Sequence, residues 1–352
     1  MSVTEGGAPP RADPLSELSD NLAARLVRPQ VYSRHQGATW LSVLLVAALV
    51  PIVVRSGYGY NIAINSGLFV ILSLGFYFQF ALGGQFSFAT PAYYAVGAYV
   101  LAWLAPSQGF LLAFAAAVVV SAVVGGLTKL LLVRSPLIHF AIATLAFGQL
   151  VLIILENWKS FTGGDQGRFD IPPPSIFGFT FDTNTKQYYL CAAVAMIGVG
   201  LLILFERSPA QRDLVFVRDM GQVAKTSGLR AGYTQIVSFA AGAGYMGAAG
   251  ALLASLSGFV DLSSFSTSNS VSVALLVLLM VLLGGVGFVW GPVIGAIVLT
   301  VLPQELSGLQ NYEQLIYAIA ILLVILVLPG GLTSLPAEIR MRRAQLKSRG
   351  AA

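Results

Sequence analysis

The sequence predicts an all-α integral membrane protein of about ten transmembrane helices, some broken or re-entrant, with both termini cytoplasmic. Three observations carry this. First, 56% of the 352 residues are hydrophobic and only 10% are charged. Ordinary soluble domains carry roughly 25% charged residues. The mean hydropathy of +0.79 excludes a soluble enzyme, a disordered chain and a nucleic-acid-binding domain. Second, apolar stretches near the roughly 20 residues that cross a bilayer recur along the chain. Third, the basic residues separate by side, as the positive-inside rule requires.

The ten stretches are 38–54, 61–82, 86–105, 109–133, 137–156, 188–205, 234–257, 270–288, 290–303 and 314–329. The stretch 86–105 is rich in Gly, Ser and Tyr, and 290–303 is short and opens on Gly291-Pro292. Both are expected to be broken or re-entrant, since irregular backbone at membrane depth needs protein or water to satisfy it. With ten spans, 16 of the 20 basic residues fall on the side of the termini. Only Arg55, Lys159, Arg168 and Lys186 fall on the other. The acidic residues divide almost evenly, so the bias is in Lys and Arg alone.

The chain divides into a polar cytoplasmic tail (1–37), a transmembrane domain (38–332) and a basic cytoplasmic tail (333–352). The first tail has no apolar core before Trp40, so it is expected to be an extension and not a signal peptide. Two loops are long. Residues 157–187 face outside and carry Gly163-Gly164 and Pro172-Pro173-Pro174, the signals of an ordered loop. Residues 206–233 face the cytoplasm. Leu214, Val217, Met220 and Ala224 follow helical spacing, Asp213 is expected near the helix start, Lys225 near its end, and Gly228 at its C-cap. Such a helix can lie on the bilayer or enter a groove on a soluble partner.

No charge falls near the middle of a stretch; Lys129, Arg134, Glu156 and Glu206 fall at ends. A central charge would suggest a proton-coupled carrier or voltage sensor. There is no GxxxxGK[ST] motif, so the chain does not itself bind ATP through a P-loop. One cysteine and two histidines offer no metal cluster, and no cofactor is expected. What is left is a passive pathway or one driven by a partner. Gly83-Gly84 and Gly284-Gly285 each close an apolar run and precede a proline, which hints at two related helix pairs.

Five segments, in order, resemble one family. They are Leu82-Gly83-Gly84-Gln85-Phe86-Ser87-Phe88-Ala89 with Gly97-Ala98-Tyr99; Phe140 to Phe147 with Asn157-Trp158 and Thr162-Gly163-Gly164-x-x-Gly167; Val217-Arg218-Asp219 with Ala224 and Gly228-Leu229; Leu282-Leu283-Gly284-Gly285-x-Gly287 with Gly291-Pro292 and Gly295-Ala296; and Pro329-Gly330-Gly331-Leu332. Together they resemble the M-type permease of branched-chain amino-acid ABC importers over about residues 60–332. The resemblance implies a permease subunit, not an enzyme, in a prokaryotic cytoplasmic membrane. It implies a second, H-type permease, cytosolic ATPase subunits docked at 206–233, and an extracytoplasmic solute-binding protein at the outer face. Gly221, Val223, Ala89 and Leu328 depart from the family pattern. Related permeases carry urea or short-chain amides, so the same machinery with that cargo is the alternative. An ATP-independent facilitator would have no need of a coupling helix.

The coupling loop is expected to act through Arg218, Asp219, Ala224, Gly228 and Leu229. The polar candidates for the solute pathway are Gln85, Ser87, Thr90, Tyr93, Tyr94 and Thr144. Their hydroxyls and amides could equally bond across helices, each contributing roughly 0.6 kcal/mol. Gly228→Pro or Arg218→Glu should abolish uptake and leave membrane insertion intact. Normal uptake at normal expression would remove the coupling assignment.

Overall fold

In a computed structural model, residues 57–133, 137–176, 178–220, 224, 231–265 and 273–306 are described. The expected spans 38–54 and 314–329, both tails, Gly228 and Leu229 lie outside the described residues. Ten helices are seen among those that remain: α1 Gly57–Tyr77, α2 Thr90–Gln108, α3 Phe110–Leu131, α4 Leu137–Asn157, α5 Lys159–Thr162, α6 Asn184–Glu206, α7 Pro209–Asp219, α8 Ala231–Ser257, α9 Val273–Gly284 and α10 Trp290–Leu306. A π-helical turn, Phe78–Leu82, extends α1. Five segments are long and apolar enough to cross a membrane: Gly57–Leu82, Phe110–Leu131, His139–Asn157, Asn184–Glu206 and Ala231–Ser257. The protein is a helical, multi-pass membrane protein.

Local chemistry sets the boundaries. Pro91 sits in the first turn of α2, where its missing N–H and fixed φ do no harm. Gly109, at φ +79°, ends α2 and lets α3 start at the next residue. Within the stretch expected over 270–288, α9 ends at Gly284 because Gly285 turns to φ +108°, and residues 270–272 lie outside the described residues. The stretch expected from 86 becomes helical only at Thr90.

The core is built on α8, which packs against α1, α2 and α3. Small residues make this possible. A Cβ on Gly97 would lie 2.1 Å from the Gly247 carbonyl oxygen, and one on Gly250 would lie 1.9 Å from that of Tyr94. Gly75 and Gly242 approach each other's carbonyls in the same way at 2.5 and 2.6 Å. In lipid, where no hydrophobic drive separates helix from acyl chain, such backbone approach gives the dispersion contacts that hold helices together. The opposite faces of the outer helices are apolar and exposed, as at Leu112, Val119, Ile153 and Leu201.

The 157–187 loop contains a small element that the sequence pattern did not suggest. Ser175–Ile176 and Phe179–Thr180 pair antiparallel, with Gly178 at φ +84° between them. The loop is also tied to the chain after α8. Arg168 and Val260 exchange backbone hydrogen bonds of 2.8 Å, and Ile171 N–H donates to Gly258.

The Gly250 contact yields a test. Gly250→Val places a branched side chain into the Tyr94 backbone. It should destabilise the fold by about 3 kcal/mol or more and remove the monodisperse peak of the detergent-solubilised protein. Gly232→Ala, whose Cβ would meet only Val133 at 3.6 Å, should leave that peak unchanged.

Candidate functional site: an unwound segment held by a short amphipathic helix

The helical ladder of α1 loosens before it breaks. Gly83 N–H reaches back to Phe78, Gly84 N–H to Phe80 and Gln85 N–H to Gln79, at 2.9–3.1 Å. Widened turns of this kind occur mostly at functional sites. Gly84 then adopts φ +65°, a left-handed conformation, and residues 85–89 run without helical pairing to the start of α2. Neighbouring helices satisfy what the break exposes. Phe88 N–H donates to Thr144 Oγ1 on α4 at 3.1 Å. Ser238 Oγ on α8 donates to the Phe78 carbonyl at 3.0 Å. Gln79 Nε2 donates to the Phe239 carbonyl at 3.2 Å.

The polar candidates behave differently from one another. Thr144 is spent on the break, donating also to its own Ala141 carbonyl. Ser87 Oγ accepts from Ala89 N–H. Gln85 is buried, and neither of its amide atoms has a hydrogen-bond partner among the described residues. The same holds for Thr90 Oγ1, Tyr93 Oη and Gln79 Oε1. Tyr93 lies by Ser87 and Thr128 without bonding either at ordinary geometry. Tyr94 turns away from this group and sets its ring edge-on to Phe265 at 5.1 Å. The structure therefore gathers Gln85, Ser87, Thr90, Tyr93 and Thr144 at the break and leaves Tyr94 apart. The bland expectation of cross-helix bonding holds for Thr144 but not for Gln85, Thr90 or Tyr93.

Helix α7 starts at Pro209 after Ser208, a residue in extended conformation. It is amphipathic, but its apolar side is already occupied. Leu214 and Val217 are 1% and 3% exposed, and the helix packs on α6, α8 and the π turn of its own chain. Met220, expected on the same face, is 55% exposed. The reason is that α7 ends at Asp219, with Met220 at φ −130°, ψ 49° and Gly221 following it. Asp213 consequently sits in the helix middle, and no acidic residue occupies the first turn. Ala224 is helical and buried, with its N–H bonded to Met220 at 2.9 Å. The side of α7 left open carries Arg212, Asp213, Asp219 and Met220.

Arg218 joins the two features. Its Nη1 donates to the Ala81 carbonyl in the π turn. Its stem covers Gly84, where a Cβ would lie 2.4 Å from Arg218 Cγ. Asp219 holds the same guanidinium through Nε at 2.7 Å and Nη2 at 3.2 Å. Gly84 is thus required twice, for its φ and for the space its missing side chain leaves.

Lys129, expected at a helix end, lies in the last turn of α3; the sequence reading did not anticipate its burial, for it is 4% exposed, with Nζ 4.4 Å from the centre of the Phe140 ring. A signal was present. Lys129 continues the four-residue row Ala113, Ala117, Ser121, Gly125, whose small side chains mark the inward face of α3.

In the 157–187 loop, Gly163 and Gly167 are both left-handed, and a Cβ on Gly163 would lie 2.0 Å from the Gly167 carbonyl oxygen. This accounts for the spacing of the TGGxxG motif. Arg168 Nη1 donates to the Ala102 carbonyl at 3.2 Å, fastening the loop to α2. The exposed Trp103 and Trp158 flank Phe161, an aromatic grouping suited to a membrane interface. Partial burial raises the Asp261 carboxyl, but hydrogen bonds from Ser263 and Ser264 outweigh it and hold the group below its ordinary range.

No solved structure matches the chain. Two curated proteins do, over most of their lengths. The high-affinity branched-chain amino acid transport system permease protein LivM of Salmonella typhimurium is 28% identical over 332 residues, covering 87% of this chain and 76% of that protein. LivM of Escherichia coli is 28% identical over 337 residues, covering 89% and 77%. The model of the family described as "Branched-chain amino acid transport system / permease component" matches residues 58–328, from the first turn of α1 past the end of α10, and the chain belongs to that family.

Proposed function

We propose that this permease is the M-type membrane subunit of an ATP-driven importer, and that α7 with the residues after it forms the dock for a cytosolic ATPase. The chain is a transport component and not an enzyme. The observation that carries the reading is the Arg218 bond to Ala81 beside Gly84. It ties a cytoplasmic helix to the point where a membrane helix unwinds. A force applied to α7 would reach the 83–89 segment and its unpaired polar groups directly.

The docking face differs from the one the sequence pattern suggested. With Leu214 and Val217 turned to the chain's own helices, the partner would meet Arg212, Asp213, Asp219 and Met220. Gly228 and Leu229 extend this loop in the proposal. Ten spans with cytoplasmic termini, a second (H-type) permease and a binding protein at the outer loop complete the arrangement. The fastening of residues 167–171 to 258–260 supports a shaped outer surface for that binding protein. Branched-chain or similar small amino acids are the cargo in this reading. Closure of the ATPases would shift the permease pair between outward- and inward-facing states.

Uptake of labelled leucine and labelled urea, in cells with and without the gene and with ATP depleted, tests the whole. Loss of ATP-dependent leucine uptake on deletion is expected. Loss of urea uptake alone would change the cargo, and an uptake that survives ATP depletion would replace the importer with a facilitator.

The latch has its own test. Gly84→Ala and Arg218→Ala should each lower uptake per assembled complex by about ten-fold or more while ATP hydrolysis persists. The double variant should be hardly worse than either single one, because both disrupt one contact. Multiplying effects would show that the two residues act separately.

A further inference from the structure

We propose that Lys129, with the Phe140 and Phe239 rings, forms the contact for the carboxylate of the transported amino acid in the cytosolic half of the pathway. This rests on the amino-acid cargo of the preceding section.

Lys129 faces inward. The residues that precede it at four-residue steps, Gly125, Ser121, Ala117 and Ala113, are all buried. The lipid-facing side of the same turn is Leu127, Leu130 and Leu131, each more than half exposed. A lysine of this kind is not stretching toward lipid headgroups on its own face of the helix. Among the described residues it has no ion pair. Its described partner is the face of Phe140. A ring face offsets only part of what an ammonium loses on leaving water. The site therefore holds a positive charge without its anion.

The surroundings ask for more than an anion. Phe140 meets Phe239 edge-on at 5.6 Å, and Phe239 meets Tyr93 edge-on at 6.1 Å. The Phe239 carbonyl takes the Gln79 amide N–H, which leaves Gln79 Oε1 as an acceptor with no donor among the described residues. Tyr93 Oη is likewise unpartnered among them. A relay of contacts thus runs from the Lys129 ammonium over the Phe140 ring to Phe239 and Tyr93. A hydrophobic amino acid suits its first steps. Its carboxylate would pair with Lys129, and its aliphatic side chain would lie on the rings. In this state the cluster is closed, every member being nearly or fully buried. The Arg218 latch bears on the π turn that carries Gln79, so movement of α7 is positioned to open it.

The test uses the complete transporter in proteoliposomes, with uptake of labelled leucine read per co-purified complex. K129M keeps the aliphatic stem over Phe140 and removes the charge. K129R keeps the charge. K129M should lower uptake by about ten-fold or more, the loss of one charge-assisted contact, and K129R should stay near wild type. Wild-type rates for K129M would overturn the proposal and leave the importer intact. Absence of leucine uptake by the wild-type complex would overturn the importer reading and this one with it. Each protein is measured in vesicles of phosphatidylcholine alone and with added phosphatidylglycerol. A K129M defect confined to the anionic vesicles would assign the lysine to a lipid phosphate instead.

Discussion

Backbone that leaves a helix inside a bilayer must find its hydrogen bonds in protein, and the residues between Leu82 and Thr90 are where this chain meets that demand. The neighbouring elements are arranged around the answer. Thr144 on α4 accepts from the unwound segment, Ser238 on α8 donates to the π turn, and Arg218 on α7 donates to the Ala81 carbonyl two residues before the glycine pair. Three elements far apart in sequence are thereby fixed relative to one break. The close packing of α8 on α1 and α2, carbonyl against glycine, holds those donors and acceptors in place.

Much of this was legible in the residues. Apolar runs located eight of the ten described helices to within a few residues, α5 and α7 lying in stretches read as loops. Gly109, Gly84 and Gly285 marked turns that only glycine makes easily. The pattern failed where one residue type serves two environments. Leu214, Val217 and Met220 read as one stripe, but a periodicity says nothing of where a helix stops, and α7 stops one residue before Met220. Nor does it say which partner covers the stripe; here it is the chain's own π turn, α6 and α8. Lys129 was read as a helix-end residue, which it is, but such a position says nothing of the direction of the side chain, which here lies against Phe140. Which of the polar groups at the break would lack partners could not be read at all, since Thr144 and Thr90 differ only in what a distant segment offers them.

The two glycine pairs show how far internal similarity reaches. At both, an apolar helix ends, the second glycine has positive φ, and a proline sits at or next to the start of the following helix. The packing then diverges. Gly284 and Gly295 bring α9 and α10 against each other, with would-be Cβ contacts of 1.8 Å to Gly291 and Met280 carbonyls. Gly97 instead brings α2 against α8. The shared feature is the backbone turn; the second copy closes into a hairpin and the first opens onto other helices. Ser73 on α1 donates to the Pro292 carbonyl at 3.2 Å, so the opened copy also braces the closed one.

The acceptor in the Arg218 contact is a main-chain carbonyl. Every residue type offers the same oxygen, so substitution at position 81 leaves that half of the contact chemically unchanged. Evolutionary drift can rewrite the surface of the π turn without uncoupling it, provided Gly84 and Arg218 stay. What joins α7 to the unwound segment is therefore concentrated in two side-chain decisions, one of them the absence of a side chain.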